Sequence, residues 1–274
     1  MTSMTITLSP SLNELVRQAA ARRGTSPDCL IASILSRELG SATHRLYQIS
    51  TAGSMVEGVY DGAIWASELL KHGDFGIGTF QNLDGEMVIL DGSIHQVLAD
   101  GTVKRREDDF EIPFATVCQY KEERGFSLGA VESVRELERA CDAHRETQNL
   151  FYALRVDGLF NTMRTRAVKA VSPGTSLVRA AESQQEFDFR NVEGTLVGIW
   201  SPPYSKAFSV SGYHFHFISR DRAHGGHVLE FRAAALHVGI QTLWEYDVNL
   251  PEKGAFLTTD LSKDPADALA KAER

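Results

Sequence analysis

Four of the nine histidines fall within seventeen residues, SGYHFHFISRDRAHGGH, Ser211 to His227. In a strand, residues two apart share one face, so His214 and His216 point the same way about 7 Å apart, two rises of ~3.3 Å. The polar, glycine-containing SRDRAHGG reads as a turn and HVLEF as the returning strand, opened by His227. Three imidazoles then converge on one point. An H-x-H pair with a third histidine across a hairpin offers the three protein ligands of a catalytic zinc, whose fourth position stays open to water or substrate. A lone strand histidine is ordinarily a packed, hydrogen-bonded residue, and only the triple at this spacing points to metal. His224 lies in the turn and reads as an exposed loop residue rather than a ligand, and His44, His72, His95, His144 and His237 are scattered and receive no metal role.

The chain that must position these groups has 274 residues, 43% hydrophobic and 23% charged, which fits one large globular domain or two small ones. MTSMTITLSPSLNEL lacks a basic region followed by an apolar run, and no segment approaches the ~18 consecutive apolar residues of a membrane span. A soluble, unexported protein with no membrane partner is expected. Cys29, Cys118 and Cys141 are odd in number, widely spaced and without a C-x-x-C arrangement, so disulfides are not expected and a cytoplasmic location fits. The net charge is −8. Residues 1–40 carry four arginines against three carboxylates, a balance of +1, which leaves −9 on the remainder. Such a body repels phosphate, and a nucleic-acid partner is not expected.

Residues 1–42 have a texture of their own. The alternating MTITL is followed by SPSLNELVRQAAARRG and TSPDCLIASILSRELG, each with a cap residue at its start and a glycine stop. This strand-helix-helix order resembles a ribbon-helix-helix module, a small dimeric fold whose paired strands enter the DNA major groove. A homo-oligomer, a dimer, is therefore expected through this extension, since so short a piece needs a partner to bury Leu12, Leu15, Val16, Leu30, Ile31, Ile34 and Leu35.

Beyond residue 45 the pattern is strand and loop. RLYQIST and GEMVILDGSIHQVLADGTVKRR alternate like antiparallel strands, and GAIWASELLKHG reads as a short helix. The segment ending ESVRELERACDAHRETQN reads as a helix with Val131, Val134, Leu137 and Ala140 or Cys141 on one face. LFYALRVDGLFNTMRTRAVKAV reads as strand, hairpin and strand, with further strands in GTLVGIWSPPY, FSVSGYHFHFIS, HVLEFRAAALHVGIQTLW and YDVNLP, and DPADALAKAER closes as a short helix. The fold class is mixed α/β, a sheet-rich α+β chain, expected as two sub-domains over 45–170 and 171–274 with the zinc site on the C-terminal sheet. Gly76 and Gly78 in HGDFGIGTF lack the third glycine and the following helix of a dinucleotide loop, so they read as turn glycines.

ELLKHGDFGIGTFQNLDGEM, NLFYALRVDGLF, TRAV and VSGYHFHFISRDRAHGGHV together resemble the α-acetolactate decarboxylase family, from about Tyr47 to the C-terminus. The resemblance implies that zinc is held by His214, His216 and His227. It implies that Arg166, in TRAV, is the active-site arginine, and that Thr79 and Glu86, in GTFQNLDGE, belong to the site. A further glutamate near the family's C-terminus has Glu273 as its counterpart. The implied activity is zinc-dependent conversion of (S)-2-acetolactate to (R)-acetoin and CO2, a carboxy-lyase step of acetoin and butanediol biosynthesis. Another zinc lyase, or a DNA-binding regulator with a ligand-sensing zinc fold, are the alternative readings. Chemistry asks for these residue types. Electrons left by departing CO2 must flow into the neighbouring carbonyl, a charge that a Lewis acid stabilises. A carboxylic acid such as Glu86 or Glu273 can deliver the proton, and Arg166 can grip a carboxylate by a forked contact or orient the glutamates.

Overall fold

The computed structural model describes residues 5–38 and 44–272. They fall into two compact units, one within residues 1–43 and one from His44 onward.

The first unit is a helical pair. α1 (Pro10–Arg22) is capped by the Ser9 hydroxyl, which accepts from the Leu12 amide. It ends at Gly24, whose φ of +62° suits glycine. α2 (Pro27–Glu38) begins where the Ser26 hydroxyl accepts from the Cys29 amide. Thr5–Leu8, expected as a strand, form no ladder among the described residues. Among the residues of this unit whose burial is described, Ala20 and Leu30 are the buried ones, whereas Ile6, Leu12, Leu15, Ile34 and Leu35 are exposed.

The second unit begins with β1 (Arg45–Ile49), α3 (Ala52–Val56), β2 (Ile64–Trp65), α4 (Ala66–Leu69), β3 (Phe75–Thr79), β4 (Glu86–Leu90) and β5 (Ser93–Val97). It continues through β6 (Val103–Arg106), β7 (Glu111–Ile112), β8 (Phe114–Cys118), β9 (Arg124–Leu128), α5 (Val134–His144) and β10 (Phe151–Ala167). α6 (Leu177–Ala181), β11 (Gln185–Ser201), β12 (Gly212–Ser219), β13 (Gly225–Leu243), β14 (Glu245–Asn249) and α7 (Ala266–Ala272) complete it.

Two main sheets result, a seven-stranded one in the order β14-β1-β8-β3-β4-β5-β6 and a five-stranded one in the order β10-β11-β12-β13-β9 with β10 also paired to β13. The sheets pack face to face: Leu46, Phe75, Ile77, Val88 and Leu90 of the first share a core with Phe151, Val197, Ile199, Ile218 and Leu243 of the second. The opposite face of β4, Met87 and Ile89, packs with Leu69 and Ile112 in another core. EMVIL is therefore buried on both faces and reads as a continuous apolar run, as such strands do. On the second sheet's far face, Leu137 and Cys141 of α5 cover Tyr152, Leu154, Phe215 and Phe217.

Membership of the sheets does not change at residue 170. β9 and β10 belong with β11–β13, and β14 returns to the first sheet beside β1, in parallel. Nor does LFYALRVDGLFNTMRTRAV contain a hairpin. It is one seventeen-residue strand, β10, and Gly158 lies inside it because a Cβ there would stand 2.6 Å from the Ala235 carbonyl oxygen. The glycine serves close strand approach rather than a turn. The helix expected to include Val131 starts only at Val134, after the β9 strand and a bridge from Val131 to Ala233. No helix among the described residues is long and apolar enough to cross a membrane.

Candidate metal centre and active site

Alternation along β12 sorts GYHFHFIS between two environments. Phe215 and Phe217 enter the core under α5, while Ile218, two residues beyond His216, packs in the core between the sheets. His214 and His216 consequently point toward the inter-sheet side. The return strand opens at Gly225 rather than at His227, which is its third residue and lies directly opposite His216; on its other flank β13 pairs with β10, where His227 meets Arg166. Arg166, His227 and His216 form one row across three strands. On the first sheet Thr79 of β3 and Glu86 of β4 are likewise direct ladder partners.

These groups line a single cavity enclosing about 70 Å³ between the sheets, together with an apolar wall that includes Met55, Phe114, Leu177, Val210 and Leu269. One ligand-capable atom from each of His214, His216 and His227 lies within 4.8 Å of the other two. His214 Nε2 is 3.1 Å from His227 Nδ1. His216 is 1% exposed, and its Nδ1–H donates to the Met87 carbonyl at 2.8 Å. A carbonyl only accepts, so this bond fixes the tautomer and turns the Nε2 lone pair away from Met87. Glu86 Oε2 lies 3.5 Å from that nitrogen. Burial, and then the charge of Arg166, push His214 down to about 3. The ring stays neutral across the physiological range, as a metal ligand must. Three neutral imidazoles without a thiolate fit a borderline divalent cation such as zinc better than calcium or magnesium, which take oxygen ligands.

The structure thus brings together six of the seven residues singled out in the sequence. Glu273 lies outside the described residues. Thr79 donates its hydroxyl hydrogen to the Gly85 carbonyl at 2.9 Å, and Glu86 is 9% exposed. Arg166, 4% exposed, donates from Nη1 to Gln184 Oε1 at 2.6 Å. His224 stands apart, tilted against Phe189 on a different part of the surface. Sequence reasoning missed Gln184 and the apolar wall. A glutamine pair in AESQQEF looks like solvated turn, and Met55, Leu177 and Leu269 come from three short helices whose convergence no local pattern announces.

A two-sheet α+β chain with three convergent imidazoles, a carboxylate and an arginine in one apolar-walled cavity defines a class of small-molecule enzyme with a candidate metal centre. The family model described as alpha-acetolactate decarboxylase matches residues 46–263, and the chain belongs to that family. It is 39% identical over 235 residues to the alpha-acetolactate decarboxylase of Methanosarcina mazei, covering 85% of this chain and 82% of that one. The Bacillus subtilis enzyme is 36% identical over 230 residues, covering 83% and 90%. The crystal structure of the alpha-acetolactate decarboxylase from Bacillus subtilis strain 168 superposes with a TM-score of 0.81 at 35% identity, covering 84% of this chain and 99% of that one.

Proposed function

We propose that the cavity performs zinc-dependent decarboxylation of (S)-2-acetolactate to (R)-acetoin and CO2. As a family member the chain is a carboxy-lyase acting on acetolactate. The observation that carries the mechanistic reading is the row Arg166–His227–His216 facing Glu86 across one cavity. In this reading His214, His216 and His227 hold the ion, which supplies a Lewis acid for the electron pair released when the bond to CO2 breaks.

The protein's own residues do the rest. Arg166 takes the substrate carboxylate by charge-assisted hydrogen bonds and fixes which bond lies ready to break. The apolar wall receives the two methyl groups and keeps water from the reacting carbon. Glu86, against His216, holds a proton at the edge of the site and returns it to the carbon that lost CO2, with Glu273 as the second carboxylate and Thr79 fixing the loop that carries Glu86. Delivery from one side makes a single enantiomer. Racemic acetolactate and chiral chromatography test this: (R)-acetoin in excess is expected, and racemic product at the spontaneous rate rejects it.

We further infer that residues 1–42 join copies of the chain into a dimer. Exposed Ile6, Leu12, Leu15, Ile34 and Leu35 are many apolar side chains for a unit whose described residues bury only Ala20 and Leu30, and units below about 40 residues seldom stand alone. Thr5–Leu8 alternate and lack an internal ladder, which supports pairing with the same segment of a second copy. The +1 balance of residues 1–40 supports a protein partner over DNA.

A further inference from the structure

We infer that Leu177 of α6 and Leu269 of α7 set the length of the alkyl groups that the cavity accepts, so that short helices decide specificity while the sheets hold the chemistry. The inference rests on the reading above that the apolar wall receives the alkyl groups of the substrate. Each described polar group assigned to the reaction, Thr79, Glu86, Arg166 and the three histidines, stands on a strand. Met55, Leu177 and Leu269 of the wall stand instead on α3, α6 and α7.

These two leucines differ from the rest of the wall in what holds them. Phe114 is the ladder partner of Thr79 and shares a buried core with Leu83 and Val168, so altering it disturbs the strand that carries Thr79. Leu269, 5% exposed, packs with Ala52 and Val56 of the α3 helix, and half-buried Leu177 lies against the same cluster. Neither belongs to the core between the sheets. The start of α7 is fixed from outside the cavity: Asp264 accepts from the Ala266 amide at 3.1 Å and from Lys206 Nζ at 2.6 Å, and Lys263 lies 3.4 Å from Glu57, just after α3. The backbone that presents Leu269 is therefore held by contacts its own side chain does not make. Surroundings relax only partly around a shortened apolar side chain, which leaves room in the cavity. Leucine to alanine removes three carbons, and a propyl group in place of a methyl group adds two. In an apolar pocket each methylene changes kcat/KM by about tenfold or more.

Leu177→Ala and Leu269→Ala, assayed on acetolactate and on its homologues lengthened by two methylenes at either alkyl end, test the assignment. The parent should turn over each homologue about 10²-fold less efficiently than acetolactate. In each variant the kcat/KM of at least one homologue relative to acetolactate should rise about tenfold or more, while acetolactate itself loses efficiency. Calorimetry with unreactive anions reads the same wall without turnover: 2-hydroxy-2-methylpentanoate should gain about tenfold or more in affinity relative to 2-hydroxyisobutyrate. Circular dichroism establishes folding, and where an alanine variant does not fold, Leu177→Val or Leu269→Val should show the same shift at smaller size. Unchanged ratios at both positions overturn the inference, and an unchanged ratio at one position overturns the part given to that residue. A parent chain that makes no acetoin removes the decarboxylase reading, and the calorimetric ratios then decide this one.

Discussion

His216 and His227 are direct partners across the β12–β13 ladder, their ring centroids 5.5 Å apart. The preceding position in β13, Gly226, pairs with Phe217 and has a φ of +129°. The spacing of these two imidazoles is therefore set by backbone pairing across the ladder. Gly226 is where that pairing is most constrained, because a Cβ there would stand 2.6 Å from the Arg166 carbonyl oxygen.

Gly226→Ala should accordingly lower stability by about 2 kcal/mol or more, the usual consequence of backbone strain combined with a clash. It should also weaken metal binding, since His227 and Arg166 shift together. Urea denaturation and competitive chelator titration measure the two effects, and a parental value for both contradicts the ladder argument.

Arg166→Ala should reduce kcat/KM by about 10³-fold, the scale of losing a charge-assisted, partly buried anion contact. Glu86→Gln should reduce kcat by about 10²-fold or more while the metal is retained. A Glu86→Gln enzyme with near-parental turnover would move the proton transfer to Glu273.

His95 on β5 supplies a pH signature independent of catalysis. Burial, and then Arg222 and Arg105, push it down to about 4, and among the described residues its Nδ1 has no hydrogen-bond partner. The unfolded chain, with an ordinary value near 6.5, then binds the proton more readily than the folded one. The stabilising contribution is fully present above about pH 6.5 and is lost as pH falls toward 4, at up to about 1.4 kcal/mol per pH unit. His95→Leu should flatten the stability profile between pH 6.5 and 4.5 relative to the parent. Parallel profiles for the two proteins would refute the assignment.

Deleting residues 1–43 should halve the mass seen by light scattering and leave acetoin formation intact, because every described site residue lies in the second unit. An unchanged mass contradicts the dimer assigned to this segment, and salt-sensitive binding of duplex DNA by the full chain would reverse the ranking of partners.

The histidine triad was legible because strand periodicity alone puts His214 and His216 on one face and a short turn returns His227 to them. Caps at Ser9 and Ser26 and the stop at Gly24 were legible for the same reason: each is decided within four residues. What the sequence hid was long-range. Gly158 looks like a turn until the Ala235 carbonyl beside it is known. Met87 contributes only a backbone oxygen to His216, so its residue type carries no signal. Gln184 and Arg166 are eighteen positions apart, joined only through the packing of β10 and β11.

Acetoin production from acetolactate by the purified full chain, measured as prepared, after removal of metal by a chelator and after stoichiometric zinc is restored, tests the central claim most directly. The account predicts about one equivalent of zinc per chain, loss of turnover on chelation, recovery on zinc addition, and neither zinc nor turnover in His214→Ala, His216→Ala or His227→Ala. Full turnover in the chelated protein, or full metal content in two of the three variants, would contradict it.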